Sequence, residues 1–214
     1  MNPLGHFSRI LVLAPHTDDG ELAAGGSIAR WLRTGTEVHY VAFSGCQSSV
    51  PEGWHPDVLL DEVKAATKVL GVPPEHLRVF DFQVRHFANV RQEILQTMVD
   101  LNAELEPDLV LMPSVEDLHQ DHHVIAVEGT RAFKRRSILA YEVPWNNIQF
   151  RNECYVPLAE EDVEAKLEAV KAYESQAARD YTSAEFLRSQ MRFRGTQIGV
   201  PYAEAFDVVR WILA

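Results

Sequence analysis

Cysteine is nearly absent: Cys46 and Cys154 are the two among 214 residues. That scarcity excludes a disulfide framework and a thiolate zinc site, and it favours a reduced setting. Positive charge is also short, with 20 Lys and Arg against 31 Asp and Glu and a formal net charge of −11. Such a balance argues against nucleic acid and anionic membrane as general partners. It does not describe a pocket, where a few residues set the local charge. No apolar run approaches a membrane span. The opening MNPLGHFSRILVLA has no cationic leader region and no cleavage site, so a cytoplasmic protein is expected. Repeats, low-complexity tracts and Gly/Ser-rich linkers are missing too, which points to one domain over residues 1–214. A chain of this size buries about 70% of its unfolded surface, so it needs no metal merely to fold.

What is present is an alternation of two periods. RILVLA (9–14), EVHYVAFS (37–44), LRVFDF (77–82), DLVLMPS (108–114) and SILAYEVP (137–144) read as buried strands. Between them, LAAGGSIARWLRTG (22–35), DVLLDEVKAATKVLG (57–71), VRQEILQTMVDLNAEL (90–105) and HHVIAVEGTRAFKRR (122–136) have helical spacing. This predicts an α/β, Rossmann-like fold, a mostly parallel sheet with helices on both faces. EEDVEAKLEAVKAYESQ (160–176) adds a helix. RFRGTQIGVPYAEAFDVVRWILA (192–214) has no clear period and is expected to form a C-terminal elaboration at the sheet edge.

Two polar clusters interrupt this frame. PHTDDGELAAGGS (15–27) follows the first strand, and SVEDLHQDHH (114–123) follows the fourth. Open parallel sheets bind ligands beyond the carboxyl ends of their strands, where strand order reverses. In an order such as 3-2-1-4-5, strands one and four flank that point, so both clusters face one crevice. His16, Asp18, Asp19, His119, Asp121, His122 and His123 are all imidazole or carboxylate donors. They suit zinc, with iron, cobalt and nickel open by ligand type. Two histidines and one carboxylate give the three protein ligands of a catalytic zinc, leaving a place for water. Adjacent Asp18 and Asp19 do not easily hold one ion together, so one serves as ligand and the other as base.

The Gly25-Gly26 pair raises a phosphate cradle instead. The turn has no G-x-G-x-x-G and no Walker-type lysine, and its two aspartates would repel a pyrophosphate. The glycines are therefore read as allowing close packing or a tight helix entry. Cys46 follows strand two with no base beside it, and His39 lies inside a strand pattern.

PHTDDGELAAGGS and HQDH (119–122) resemble, in order and spacing, the two signatures of the LmbE/PIG-L family of zinc-dependent de-N-acetylases. YEVPWNN, KAYESQ and RGTQIGVPYAEAF resemble later segments of its carbohydrate-deacetylase branch, so the likeness runs nearly end to end. The resemblance implies zinc, or another divalent metal such as Fe2+, on His16, Asp19 and His122. It implies Asp18 as general base, His119 as electrophilic or acid residue, and Asp121 as the carboxylate orienting His119. The substrate it implies is a small N-acetylated amino sugar or conjugate, and the assembly a homo-oligomer. Trp145 then becomes a sugar-stacking or lid residue, and Arg194 and Glu204 become candidate pocket residues. Three positions depart from the family pattern: Thr17 for the usual Pro, Tyr173 for His, and Leu59 for an Arg. Two other functions fit the motifs. One is a zinc amidase acting on a non-sugar or thiol-conjugate amide, and the other a non-catalytic metal- or sugar-binding module. The latter would have lost the base or a ligand, yet all are present.

Overall fold

The computed structural model describes residues 7–213. Its strands are β1 (Arg9–Ala14), β2 (Glu37–Ala42), β3 (Leu77–Val79), β4 (Leu109–Pro113), β5 (Ser137–Tyr141), β6 (Cys154–Leu158) and β7 (Tyr202–Arg210). Its α-helices are α1 (Asp19–Arg33), α2 (Val58–Leu70), α3 (Arg91–Leu105), α4 (Gln120–Ala132), α5 (Glu160–Lys171) and α6 (Ala184–Ile198). The sheet runs β3-β2-β1-β4-β5-β7-β6. Its first five strands are parallel, and β1 and β4 are neighbours with Leu11 opposite Val110.

Strand periodicity explains why both faces are covered. Along β1, Ile10, Val12 and Ala14 join one apolar cluster with residues of α1, α2 and α5, while Leu11 and Leu13 join another with α3 and α4. All five side chains are fully buried, as alternation across a sheet covered on both sides requires. On α2, Leu59, Val63, Ala66 and Leu70 form the buried stripe, and Gly71 ends the helix at φ +93°. Positive φ there is cheap only for a residue without a Cβ.

The C-terminal elaboration forms at the sheet edge, as expected. There β7 pairs antiparallel with β5, and β6 pairs antiparallel with β7, so the two strands extend the sheet. Preceding β7 in the chain, α6 packs along it. The first helix is also two pieces, broken at Ala24 (φ −134°, ψ 16°). After the break, the free N–H groups of Gly26 and Ser27 donate to the Glu204 carboxylate at 3.1 and 2.7 Å. Buried Lys166 sits 2.6 Å from the same carboxylate. The glycines are packing positions: a Cβ on Gly26 would lie 2.7 Å from Leu158 Cδ1, and one on Gly25 3.0 Å from Lys166 Cγ. Among the described residues no helix is long and apolar enough to cross a membrane.

Candidate active site

β1 ends at Ala14 and β4 at Pro113, so the two polar clusters leave adjacent strands at the same end of the sheet. His16, Asp19 and His122 meet there. His16 Nδ1 lies 3.1 Å from Asp19 Oδ2, His122 Nε2 lies 3.2 Å from the same oxygen, and the two ring nitrogens are 3.2 Å apart. A tetrahedral zinc with ligands at about 2.0–2.1 Å separates its donors by roughly 3.3 Å, so this triangle has the dimensions of a metal site. The outer ring nitrogens are also committed. His122 Nδ1 lies 2.7 Å from Asp117 Oδ2, and His16 Nε2 lies 3.1 Å from Asp121 Oδ2. Carboxylates in those positions take the outer N–H and leave the inner lone pair for a cation.

Their charges are strongly coupled. Burial opposes protonation of His16, yet Asp19 and Asp121 outweigh it and raise the pKa to about 9. His122 behaves alike, carried to about 10 against burial by Asp19 and Asp117. Burial would raise the Asp19 carboxyl, but the two imidazoles hold it well below the usual range.

Asp18 occupies the N-cap of α1, yet its side chain makes no capping bond and lines the cavity. Burial and neighbouring Asp19 push its pKa up to about 6. His119 caps α4, its Nδ1 accepting the Asp121 N–H at 3.2 Å. A neutral ring accepting at Nδ1 carries its proton on Nε2. Burial, with His16 and His122, pushes its pKa down to about 4, so it is a neutral donor rather than an imidazolium. This corrects one expected contact. The Asp121 side chain does not orient His119; it holds His16 and accepts the N–H groups of Arg85 (2.5 Å) and Phe87 (3.3 Å). Only its backbone meets His119. His123 is exposed, its Nδ1 near the Val115 carbonyl and away from the triangle.

The turn carrying Asp18 is tied from below. The Thr17 carbonyl accepts from Tyr173 Oη (2.7 Å) and Tyr40 Oη (2.9 Å), and both hydroxyls also touch the buried carboxyl of Glu21. Tyr40 Oη accepts the Gly20 N–H as well. Two hydroxyl protons cannot fill four such contacts, whereas a protonated Glu21 supplies a third. Burial accordingly pushes the Glu21 pKa up to about 8 against the tyrosine bonds. Tyr173 thus acts as a clamp under the turn.

A cavity of about 360 Å³ opens over these groups, at the small end of ligand-site volumes. Its wall includes Arg85, Asn146, Gln176, Arg179 and Tyr181, which sequence reasoning missed, and Leu59 at the position of the absent Arg. Trp145 also lines it, with one face stacked on Tyr181 at 3.9 Å. Cys46 lies in the wall, and burial and Asp18 push its thiol up to about 12, which removes it as a nucleophile. Arg194 and Glu204 are not in the wall. Arg194 pairs with Glu142 at 2.6 Å, and Glu204 caps the second half of α1. A second grouping, Glu37, His39 and His76, stands apart from this cavity. There Glu37 is already paired with Arg9 and with His39 Nε2 at 2.6 Å, and the His39 and His76 rings stack 4.1 Å apart.

Fold and site together describe a doubly wound α/β protein with a His/Asp cluster of metal-site dimensions at its switch point. Residues 11–133, more than half of the chain, match the PIG-L family, described as GlcNAc-PI de-N-acetylase; the chain belongs to that family. It is 26% identical over 233 residues to the diacetylchitobiose deacetylase of Thermococcus kodakarensis, covering 97% of this chain and 85% of that protein. Among solved structures, the conserved protein TT1542 from Thermus thermophilus is 25% identical, with a TM-score of 0.82 and 96% of each chain covered. The 4-carboxy-2-hydroxymuconate hydratase of Pseudomonas putida shares the fold at 19% identity, with a TM-score of 0.77 and 97% and 98% coverage. That last likeness is one of architecture, which by itself fixes no reaction.

Proposed function

We propose that this chain is a metal-dependent deacetylase of the cytoplasm, one domain that removes the acetyl group from an N-acetylated amino sugar or its conjugate. The observation carrying this reading is the His16–Asp19–His122 donor triangle, with an uncommitted carboxylate, Asp18, lining the cavity above it. His16, Asp19 and His122 hold zinc, or another divalent cation such as Fe2+. When bound, the metal supplies Lewis acidity and lowers the pKa of water. Asp18 takes the proton of the attacking water. With its pKa near 6 it is largely ionised at neutral pH and still basic enough to do so. The C–N bond then breaks, the water oxygen leaves in acetate, and Asp18 returns the proton to the departing amine. His119 donates its Nε2–H to the carbonyl oxygen as negative charge develops there, a contact worth about 3–4 kcal/mol for one well-placed donor. Asp117 and Asp121 keep the ligand rings in place.

The test is release of primary amine from a panel of N-acetylated sugars and conjugates by metal-loaded protein. Asp18→Asn should retain metal and lose about 10²–10⁴-fold in rate, whereas His16→Ala should lose metal and activity together. Full turnover by a metal-stripped sample, or by Asp18→Asn, rejects the mechanism.

A further inference from the structure

We propose that Arg85 and Arg179 are specificity-determining residues for an anionic substituent, a carboxylate or a phosphate, on the amine-bearing part of the substrate. This rests on the deacetylase reading and adds the substrate's charge to it.

The wall of the active-site cavity is lined by two acidic residues, Asp18 and Asp19, and by two arginines, Arg85 and Arg179, both largely exposed. A divalent cation on His16, Asp19 and His122 would offset the two wall carboxylates, while Asp117 and Asp121 are engaged with the ligand imidazoles behind them. Among the described residues neither arginine forms an ion pair. The Arg85 side chain makes no hydrogen bond there, and Arg179 bonds only the Tyr181 hydroxyl, leaving most of its donors free. A guanidinium presents a planar fork of donors that matches carboxylate and phosphate oxygens. In a chain of net charge −11, two arginines without an ion pair beside the His/Asp cluster are a local arrangement.

Both residues are held at the cavity by built features of the backbone. Arg85 has φ +70°, a left-handed conformation that is unfavourable for a non-glycine residue and persists only where its surroundings impose it. Asp121 imposes it by accepting the Arg85 and Phe87 amides, the same carboxylate that holds His16. Arg179 follows a segment moored to α2, where buried Glu62 accepts both the N–H (2.8 Å) and the hydroxyl (2.7 Å) of Ser175. Arg179 also packs over the Tyr181 ring, whose neighbour in the stack is Trp145. The aromatic pair and the guanidinium thereby form one continuous piece of the wall. Asp18 feels the charge of Arg179, so a second role for that arginine, tuning the base, has to be separated by experiment.

Metal-loaded wild type, Arg85→Gln, Arg179→Gln and the double variant are compared on three N-acetylated amino sugars, one neutral, one bearing a carboxylate and one bearing a phosphate. The readout is the ratio of kcat/KM for each anionic sugar to that for the neutral one. In the wild type the ratio should exceed about 10 for at least one anion, and each substitution should lower it about 10–100-fold, chiefly through KM. The carboxylate and phosphate arms show which oxyanion is read. Arginines that only tune Asp18 or support the wall would lower all three rates alike and leave the ratio unchanged, which overturns the proposal. Calorimetric titration with glucosamine and a glucosamine phosphate gives a readout independent of turnover. If no acetamide is hydrolysed, the deacetylase reading fails. The charge proposal then stands or falls on whether the phosphate binds more tightly than the neutral amine and loses that margin in the double variant.

Discussion

An imidazole has two nitrogens, and what the outer one meets decides what the inner one can bind. His122 gives its outer nitrogen to Asp117 and His16 gives its own to Asp121, so the inner pair faces Asp19 in the required state. Asp117→Ala should therefore weaken metal binding by about 10–100-fold with the far-ultraviolet circular dichroism unchanged, and competition with a chelator measures the loss. Motif order alone pairs Asp121 with nearby His119 and overlooks Asp117, because spacing says which residues are close in the chain and not which way a side chain leaves a helix turn. Six of the seven donors named from the two short polar runs meet at the site, and His123 turns away from it. Arg85 and Arg179 were not legible in the sequence, since their placement depends on a strained φ and on a loop moored by Glu62. Neither leaves a periodic trace.

Helix α1 shows what a chain break can do at the scale of an element. The kink at Ala24 exposes a second helix start inside the protein, and Glu204 fills it from β7 while Lys166 of α5 neutralises Glu204. The anion site hinted at by Gly25-Gly26 exists physically, but the protein's own carboxylate occupies it. Glu204→Ala would strand a buried ammonium and two amide groups. It should destabilise the fold by about 3–5 kcal/mol, and replacing the pair together, Lys166→Met with Glu204→Gln, should cost less; urea unfolding of the three proteins tests both. The same pairing explains why β7 was hard to read. Glu204 and Asp207 are buried polar residues inside the strand, so its alternation is broken where the tertiary contact is made. On α6 the buried face is Leu187, Met191, Arg194 and Gly195, while Phe193 is exposed, a stripe too weak to show a 3.6-residue period. The parallel half was legible for the opposite reason. Apart from the edge strand β3, its strands are buried on both faces and appear as largely apolar runs.

For the whole molecule, metal, protons and stability are one linked equilibrium. In the metal-free protein, His16 and His122 are held protonated, with pKa values near 9 and 10 against 6.5 for an unconstrained imidazole. A folded-state pKa above the unfolded one stabilises the fold fully below about pH 6.5, and that contribution disappears as pH rises through 9–10. The urea midpoint of metal-stripped protein should consequently fall between pH 7 and 10 through the loss of these two imidazolium charges. A cation in the triangle requires the same nitrogens unprotonated, so its binding must release protons and tighten over that same rise in pH. Metal at about 100 times its dissociation constant adds roughly 2.7 kcal/mol to stability. The gap between loaded and stripped protein should thus widen from pH 7 to 9. Parallel unfolding curves for the two forms across this range would mean that the metal does not sit on His16 and His122.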